Sequence, residues 1–262
     1  MSAKSKKPQW VVDKERDRKS AAAQTIWLFG LHAVRDALGN PKREKLRLMV
    51  TQNAHQKLEA DIKAAGIEPE IYDPRKFKPP IDPSSVHQGA AIEVKALQWG
   101  DVMDMCYPDQ PRNLVLCLDR VSDPHNVGAI LRSAEVFGAR AVIATARHAA
   151  PETGALAKTA SGALERQPYL RVKNLAQSMI QLREMGYILI GLDGTATETI
   201  EDSLNAYPDR PIALVLGAEG PGLREKTKET CDQLAKVDYA SDFGSLNVSN
   251  AAAVALYAAT RA

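Results

Sequence analysis

The segment DPHNVGAILRSAEVFGA, residues 123–139, brings an amide and a guanidinium to the start of a predicted helix. Asp123-Pro124, or the two residues after them, can begin this helix, and Asn126 then lies near its N-cap. Arg132 lies off the apolar stripe of the helix, from where its side chain can reach an anionic or hydroxyl-bearing substrate. Taken alone, Asn126 is equally well explained as a helix cap, and Arg132 as a solvated surface residue.

A second segment, LVLGAEGPGL at residues 214–223, ends a predicted strand with three glycines and one carboxylate. Glycine lets the backbone approach a ligand closely, and Glu219 stands among these glycines. The spacing G-x-x-G-x-G differs from the dinucleotide fingerprint G-x-G-x-x-G, which disfavours a nicotinamide or flavin site. A simple turn between a strand and a helix is the alternative explanation.

The third segment, FGSLNVSNAAAVALYAATRA at residues 243–262, crowds four polar side chains at the start of an alanine-rich helix: Ser245, Asn247, Ser249 and Asn250. Capping a helix requires one such residue, so four exceed that need. The apolar helix behind them is suited to pack closely against a neighbouring helix or a symmetry-related copy. Each segment is a weak signal by itself, and the three together in this order are a strong one.

A parallel β-sheet must position these three loops. Near-continuous apolar strands alternate with helices from residue 112 onward, which indicates an α/β domain whose parallel sheet is covered on both faces. The predicted strands are residues 114–119, 141–145, 187–193, 212–217 and 234–238, and the main predicted helices are 126–137, 174–185 and 247–259. Ligands bind at the carboxyl ends of the strands in such sheets, and three of those ends carry the loops above.

A small α/β unit is predicted to precede this domain, at residues 25–98. It has a helix in GLHAVRDAL that stops at Gly39 and a second helix that stops at Gly66. Its predicted short strands are residues 46–50, 69–72 and 90–94. Residues 99–111 contain one glycine and two prolines, and we predict a linker or a short connecting helix there.

The 262-residue chain carries 34 Lys and Arg against 32 Asp and Glu, and a net charge of +2 by itself argues against a polyanionic partner. The charges are unevenly distributed, however. Residues 1–24 hold seven basic and three acidic side chains, whereas residues 99–262 hold 16 and 20. We therefore expect residues 1–24 to form a basic, disordered tail or, alternatively, an arm that contacts phosphates.

The composition also excludes several classes of protein. No apolar run approaches the roughly 18 residues of a membrane span, and the first 20 residues lack the apolar core of a signal peptide. The three cysteines are scattered, which indicates neither a disulfide framework nor a metal site. We expect a cytoplasmic protein without a bound metal.

Together, the three motifs resemble those of the SpoU (TrmH-like) branch of the SPOUT RNA ribose 2'-O-methyltransferases, and most of all its bacterial 23S rRNA guanosine-2'-O-methyltransferases. The resemblance spans residues 112–262, the expected catalytic domain. FGLHAVRDAL, and VHQGAAIEV at residues 86–94, are similar to the family's N-terminal RNA substrate-binding domain. Residues 1–24 match no part of the family pattern.

The resemblance implies that the C-terminal part of the chain threads through an earlier loop as a deep trefoil knot, a rare exception to unknotted topology. It also implies that S-adenosylmethionine binds in the knot and that the protein is a homodimer through the knot region. The residues expected to contact this cofactor are Leu192, Gly194, Thr195, Leu216, Gly217, Ala218, Gly220, Val237 and Leu246.

The catalytic residues implied by the resemblance are Asn126, Arg132, Glu219, Ser245 and Asn247. Because a guanidinium normally stays protonated, we expect Arg132 to hold the target phosphate or to stabilise developing alkoxide charge, and to act as a base only if strongly perturbed. Asn126 would orient Arg132 or the ribose, and Glu219 would position the surroundings of the nucleophile. Ser245 and Asn247 would shape the cofactor and substrate pocket, and no metal is required.

The reaction implied is transfer of a methyl group from S-adenosylmethionine to a ribose 2'-oxygen of a 23S rRNA guanosine. A tRNA ribose is the alternative target. A non-catalytic RNA-binding protein of the same fold is a second hypothesis, disfavoured because all five catalytic residue types are present. A different nucleotide-binding α/β enzyme is a third, disfavoured by the missing glycine fingerprint.

Overall fold

The computed structural model describes residues 25–238 and 246–261, which divide into two units between Gln98 and Trp99. The predictions made for the basic segment 1–24 and for Ser245 lie outside the described residues. None of the helices in the described part of the chain has the length and apolarity needed to cross a membrane.

The N-terminal unit is a four-stranded sheet with two helices. In chain order its elements are β1 (Thr25–Phe29), α1 (Leu31–Gly39), β2 (Lys45–Thr51), α2 (Gln52–Ala65), β3 (Pro69–Tyr72) and β4 (Ala90–Lys95). The strand order is β1-β4-β2-β3, with β2 and β3 parallel and the other pairs antiparallel. Strand β1 was not predicted, because TIWLF is short and no turn signal precedes it.

Local signals in the sequence explain the ends of helix α2. The Thr51 side chain accepts a hydrogen bond from the Ala54 N–H at its start, and Gly66 ends it in the left-handed conformation with φ of 64°. Phe77, from the segment before β4, packs with Phe29 and Met49 in a small apolar cluster. The predicted small α/β unit is therefore confirmed.

The C-terminal unit alternates strands and helices. Its strands are β5 (Leu114–Asp119), β6 (Ala141–Thr145), β7 (Tyr169–Val172), β8 (Ile188–Leu192), β9 (Ile212–Gly217) and β10 (Gln233–Ala235). Its helices are α3 (Val102–Met105), α4 (Pro124–Val136), α5 (Gly154–Ala160), α6 (Ala163–Arg166), α7 (Leu175–Glu184), α8 (Ile200–Asn205), α9 (Glu225–Thr230) and α10 (Val248–Ala259).

The six strands form one sheet in the order β10-β8-β9-β5-β6-β7, and every pairing is parallel. Val115 and Cys117 of β5 pack with Leu175 and Met179 of α7 in the main apolar cluster. The intervening Leu116 faces the other side of the sheet and is also fully buried. The predicted parallel sheet, covered on both faces, is confirmed, whereas the trefoil knot stays a prediction.

The elements that differ from the sequence analysis are short. Strand β10 spans Gln233–Ala235, whereas the prediction was 234–238, and β7 and four short helices were not predicted. In the segment 99–111, helix α3 contributes the buried Val102 and the adjacent Cys106 to the main apolar cluster. This segment is therefore part of the packed C-terminal unit and not only a connection.

Candidate active site at the carboxyl edge of the parallel sheet

A cavity of about 670 Å³ lies at the carboxyl ends of strands β8 and β9 and beside the start of helix α10. Ligands are expected at this edge of an open parallel sheet. All nine residues predicted from the resemblance to contact the cofactor line it: Leu192, Gly194, Thr195, Leu216, Gly217, Ala218, Gly220, Val237 and Leu246. Loops that are distant in sequence therefore form one concave surface.

The glycine-rich segment after β9 folds back on itself. The Gly222 N–H donates to the Ala218 carbonyl over 2.9 Å, and Gly220 and Gly222 both have positive φ, at 82° and 67°. At Gly217 a side chain is excluded, because a Cβ atom there would lie 2.1 Å from the carbonyl carbon of Gly222. The spacing of these glycines is therefore explained by the close turn that forms one side of the cavity.

Three polar side chains from the three sequence motifs meet at the cavity. Oε1 of Glu219 accepts a hydrogen bond from Nδ2 of Asn126 over 3.0 Å and another from Nδ2 of Asn247. The same Nδ2 of Asn247 donates to Oδ1 of Asn126 over 3.0 Å. Asn126 and Asn247 are 121 positions apart, so only the tertiary fold brings them together. We call Asn126, Glu219 and Asn247 the polar cluster.

Helix capping accounts for only part of this arrangement. The N-cap of α4 is Asp123, whose side chain accepts from the His125 N–H over 2.9 Å, so the explanation of Asn126 as the cap is wrong. Asn247 is the N-cap of α10, and its Oδ1 accepts from the Ser249 N–H over 2.9 Å. This cap leaves Nδ2 of Asn247 for the polar cluster.

Arg132 lies on α4, beyond Asn126, and its side chain is exposed. Within residues 25–238 and 246–261, we find no hydrogen bond or ion pair that engages its guanidinium. The structure therefore does not join Arg132 to the polar cluster, and its five N–H donors can face a substrate.

Residues 113–257 match the SpoU rRNA Methylase family, and residues 27–100 match the RNA 2'-O ribose methyltransferase substrate-binding domain. The chain belongs to the SpoU rRNA methylase family. The resemblance inferred from the three motifs is thereby confirmed.

Curated relatives match this SpoU family member along nearly its whole length. The 23S rRNA (guanosine-2'-O-)-methyltransferase RlmB of Photobacterium profundum is 37% identical over 240 residues, which cover 89% of this chain and 96% of the relative. The protein of the same name from Ralstonia nicotianae is 38% identical over 239 residues, covering 89% and 94%.

The fold of this family member is that of solved SpoU structures. The SpoU methyltransferase AviRb from Streptomyces viridochromogenes superposes with a TM-score of 0.74 at 23% identity, over 94% of this chain and 91% of that one. An rRNA methyltransferase from Sinorhizobium meliloti, solved with AdoMet bound, gives a TM-score of 0.72 at 21% identity, covering 95% and 90%.

A buried carboxylate that the sequence analysis did not single out fixes one wall of the site in this SpoU family member. Asp119, at the end of β5, is fully buried. Its Oδ1 accepts from Nε of Arg224 over 2.8 Å, and its Oδ2 accepts from the Arg224 N–H over 3.0 Å and from Oγ1 of Thr227 over 2.7 Å. Burial raises the pKa of Asp119, but the hydrogen bonds from Arg224 and Thr227 outweigh this effect and hold the pKa below its ordinary value.

An ion pair that the sequence analysis also did not single out lies in the cavity itself. Nζ of Lys228 is 2.5 Å from Oδ2 of Asp193, and both residues line the cavity. Oδ1 of Asp193 also accepts from the N–H and Oγ1 of Thr195, over 2.9 and 2.7 Å. These hydrogen bonds, that from Lys228 first, lower the pKa of Asp193 to about 2, and Asp193 in turn raises the pKa of Lys228.

Among the described residues of this SpoU family member, no three His, Cys, Asp or Glu side chains are grouped closely enough to hold a metal ion. The charged side chains that line the cavity among the described residues are Asp193, Glu219 and Lys228. The site is therefore built from backbone, apolar side chains and a few fixed charges.

Proposed function

We propose that this protein is an S-adenosylmethionine-dependent methyltransferase that modifies the ribose 2'-oxygen of a guanosine in 23S rRNA. The observation that carries the proposal is the polar cluster, because two of its members, Glu219 and Asn247, line the same cavity as all nine expected cofactor residues. The two curated relatives, whose names state this activity, match both units of the chain and not only the catalytic part.

The cavity fits the proposed cofactor. Its volume of about 670 Å³ lies within the range of roughly 300 to 1,000 Å³ typical of small-molecule sites. Exposed backbone around Gly217 and Gly220 offers hydrogen-bonding groups to the base and sugar, and Leu216 and Val237 supply apolar surface. When bound there, S-adenosylmethionine supplies an electrophilic methyl group on a sulfonium.

The residues of the chain then have to place the acceptor hydroxyl in line with that methyl group. We assign this positioning to the polar cluster, because its amides and carboxylate are held by one another and need no rearrangement when RNA binds. Arg132 is assigned to the target phosphate or to the charge that develops on the 2'-oxygen. Its guanidinium provides several donors and stays protonated, which suits this role better than proton removal.

A homodimer is part of the proposal. Val136 at the end of α4 and Tyr257 on α10 are 71% and 52% exposed, and Phe137 packs edge-on against Tyr257 with 6.3 Å between ring centroids. Helices α4 and α10 contact each other, and they also carry or begin beside residues of the polar cluster. An exposed apolar patch on the two helices whose first residues help to form the site supports a two-fold interface through those helices. We call Val136, Phe137 and Tyr257 the apolar patch.

Labelling of RNA tests the activity and its target. Purified protein is incubated with tritiated S-adenosylmethionine and total RNA from cells that lack this protein, and RNA from cells that contain it is the control. We expect label in 23S rRNA from the deficient cells only, at a ribose of one guanosine. Label confined to tRNA would make the proposed target wrong, and RNA binding without any label would favour a non-catalytic protein.

With ribosomal RNA as the substrate, the cytoplasm is the proposed location.

A further inference from the structure

The charges of the cavity complement those of the cofactor proposed above. Among the described residues that line the cavity, Asp193 and Glu219 are anionic and Lys228 is the one cation. S-adenosylmethionine carries the reverse set, since its sulfonium and ammonium are cationic and its carboxylate is the one anionic group. A carboxylate placed beside Asp193 or Glu219 alone would be repelled.

Lys228 is held in a fixed position. Its Nζ is bound to Asp193, whose side chain is only 11% exposed, and Asp193 is in turn held by Thr195. The preceding residue, Thr227, donates to the buried Asp119, which anchors helix α9 to the end of strand β5. The ammonium of Lys228 therefore enters the cavity from a secured helix, and an ammonium with three donors has some left after Asp193 is bound.

We propose that Lys228 binds the carboxylate of the amino acid portion of S-adenosylmethionine, which makes it a specificity-determining residue for the cofactor. This inference rests on the proposed function. Glu219 is engaged by two amides of the polar cluster, so among the described residues the Asp193–Lys228 pair is the charged feature of the cavity that remains to recognise the cofactor. A charged hydrogen bond of this kind is among the stronger contacts available to a small ligand.

The competing explanation is that the pair only ties the loop after β8 to helix α9. A structural tie would affect all ligands equally, whereas carboxylate recognition affects only ligands that have a carboxylate. S-adenosylmethionine and decarboxylated S-adenosylmethionine differ in that one group, so their affinity ratio isolates it. The Lys228→Met variant removes the cation and keeps the aliphatic stem, and Lys228→Arg restores a cation.

Isothermal titration calorimetry on the full chain tests the proposal without any need for activity. We expect the wild-type protein to bind S-adenosylmethionine about ten- to one-hundred-fold more tightly than the decarboxylated compound, the size expected for one charged hydrogen bond. In Lys228→Met this ratio falls to about one or inverts, and in Lys228→Arg it is largely retained. Lys226→Met, two positions earlier on the same helix and exposed, is the matched control and keeps the wild-type ratio.

Three results would overturn the proposal. If Lys228→Met lowers the affinity for both compounds by the same factor, Lys228 only connects the loop after β8 to helix α9 and does not recognise the carboxylate. Equal affinity of the wild-type protein for both compounds would show that the carboxylate is not recognised. Failure of the wild-type protein to bind either compound would remove the proposed cofactor, and with it this inference.

Discussion

Thr227 donates a hydrogen bond from Oγ1 to Oδ2 of Asp119 over 2.7 Å, although 108 positions separate the two residues. The bond joins helix α9 to the carboxyl end of strand β5, and the contacts from Arg224 to the same carboxylate join the end of the glycine-rich segment to that strand. The end of the connection between β9 and α9, where the helix begins, is therefore fixed before any ligand binds. A preformed wall of this kind lowers the entropic cost of binding.

Arg224→Met is expected to destabilise the protein by about 1.5 to 3 kcal/mol at neutral pH, because the buried Asp119 loses the charged hydrogen bond from the half-exposed guanidinium and keeps those from the backbone N–H and Thr227. In the wild-type protein the pKa of Asp119 is lowered, so its stabilising contribution is present at neutral pH and is lost as the pH falls below about 4. The difference between wild type and variant should therefore shrink in acid. Urea unfolding at several pH values measures it, with Lys226→Met as the control. A difference that is independent of pH would contradict the role given to Asp119.

Substitutions of Asn247 can separate its role as the cap of helix α10 from its role in binding Glu219. Asn247→Ala should lower the free energy of unfolding by about 1 kcal/mol through loss of the cap, and should reduce methyl transfer by about 10²-fold through misplacement of Glu219. Asn247→Ser keeps a capping oxygen but has no amide to donate to Glu219. We expect near wild-type thermal stability with the same loss of transfer. Full activity of the serine variant would show that the cap is the whole function of Asn247.

Arg132→Ala should abolish methyl transfer while leaving the affinity for S-adenosylmethionine and the thermal stability nearly unchanged. The reason is that Arg132 is exposed and has no hydrogen-bonding partner within the described residues. Exposed substitutions of this kind change stability by about 0.5 kcal/mol or less. Transfer assays and calorimetry measure the two effects, with Arg210→Ala, which precedes β9 at the other edge of the sheet, as the control. Parallel loss of cofactor affinity and transfer would refute the assigned role.

Gly217→Ala should disrupt the cavity wall, because the added Cβ would lie 2.1 Å from backbone of Gly222 and 2.4 Å from the Leu223 nitrogen. Overpacking against backbone costs about 1 to 3 kcal/mol, and the shifted segment should lose cofactor affinity as well. At Gly39 a Cβ would meet nothing within 4 Å, so Gly39→Ala is the matched control and should be close to neutral. Calorimetry and thermal unfolding give both readouts. Tight cofactor binding by Gly217→Ala would show that the turn can relax.

Val136→Asp should convert the proposed dimer into a monomer, since a carboxylate in the apolar patch cannot be buried without a partner. Light scattering during gel filtration reports the mass, and transfer activity should fall with it. Ile180→Asp, on helix α7 and 37% exposed, is the control for an added surface charge. A wild-type protein that is monomeric at the concentration where it is active would remove the dimer from the proposal.

The sequence was most informative about buried strands and strand ends. Strands at 114–119, 141–145 and 212–217 were predicted to the residue, because fully buried strands are near-continuous apolar runs. The convergence of Asn126, in the first turn of α4, and Glu219, in the segment after β9, followed from the rule that ligands bind at the carboxyl edge of a parallel sheet. These inferences needed only local patterns and one general rule.

The partners of charged residues could not be predicted in the same way. Asp119 reads as the polar end of a strand, and nothing near it in sequence indicates that Arg224, 105 positions later, binds it. Lys228 lies on a six-residue polar helix without an apolar period, so no pattern in the sequence predicted this helix. No pattern predicted the contact of Lys228 with Asp193 either. Such pairs depend on the order and register of strands β5, β8 and β9, which tertiary packing decides.

The side chain of Asn247 uses both of its polar atoms at once, Oδ1 for the start of helix α10 and Nδ2 for Glu219. Aspartate offers acceptors without a donor, alanine offers neither, and serine has a single oxygen where two separated atoms are needed. Selection for a stable final helix and selection for an assembled site therefore act on the same codon. We expect this position to drift more slowly than either requirement alone would enforce, since a substitution that satisfies one of them still fails the other.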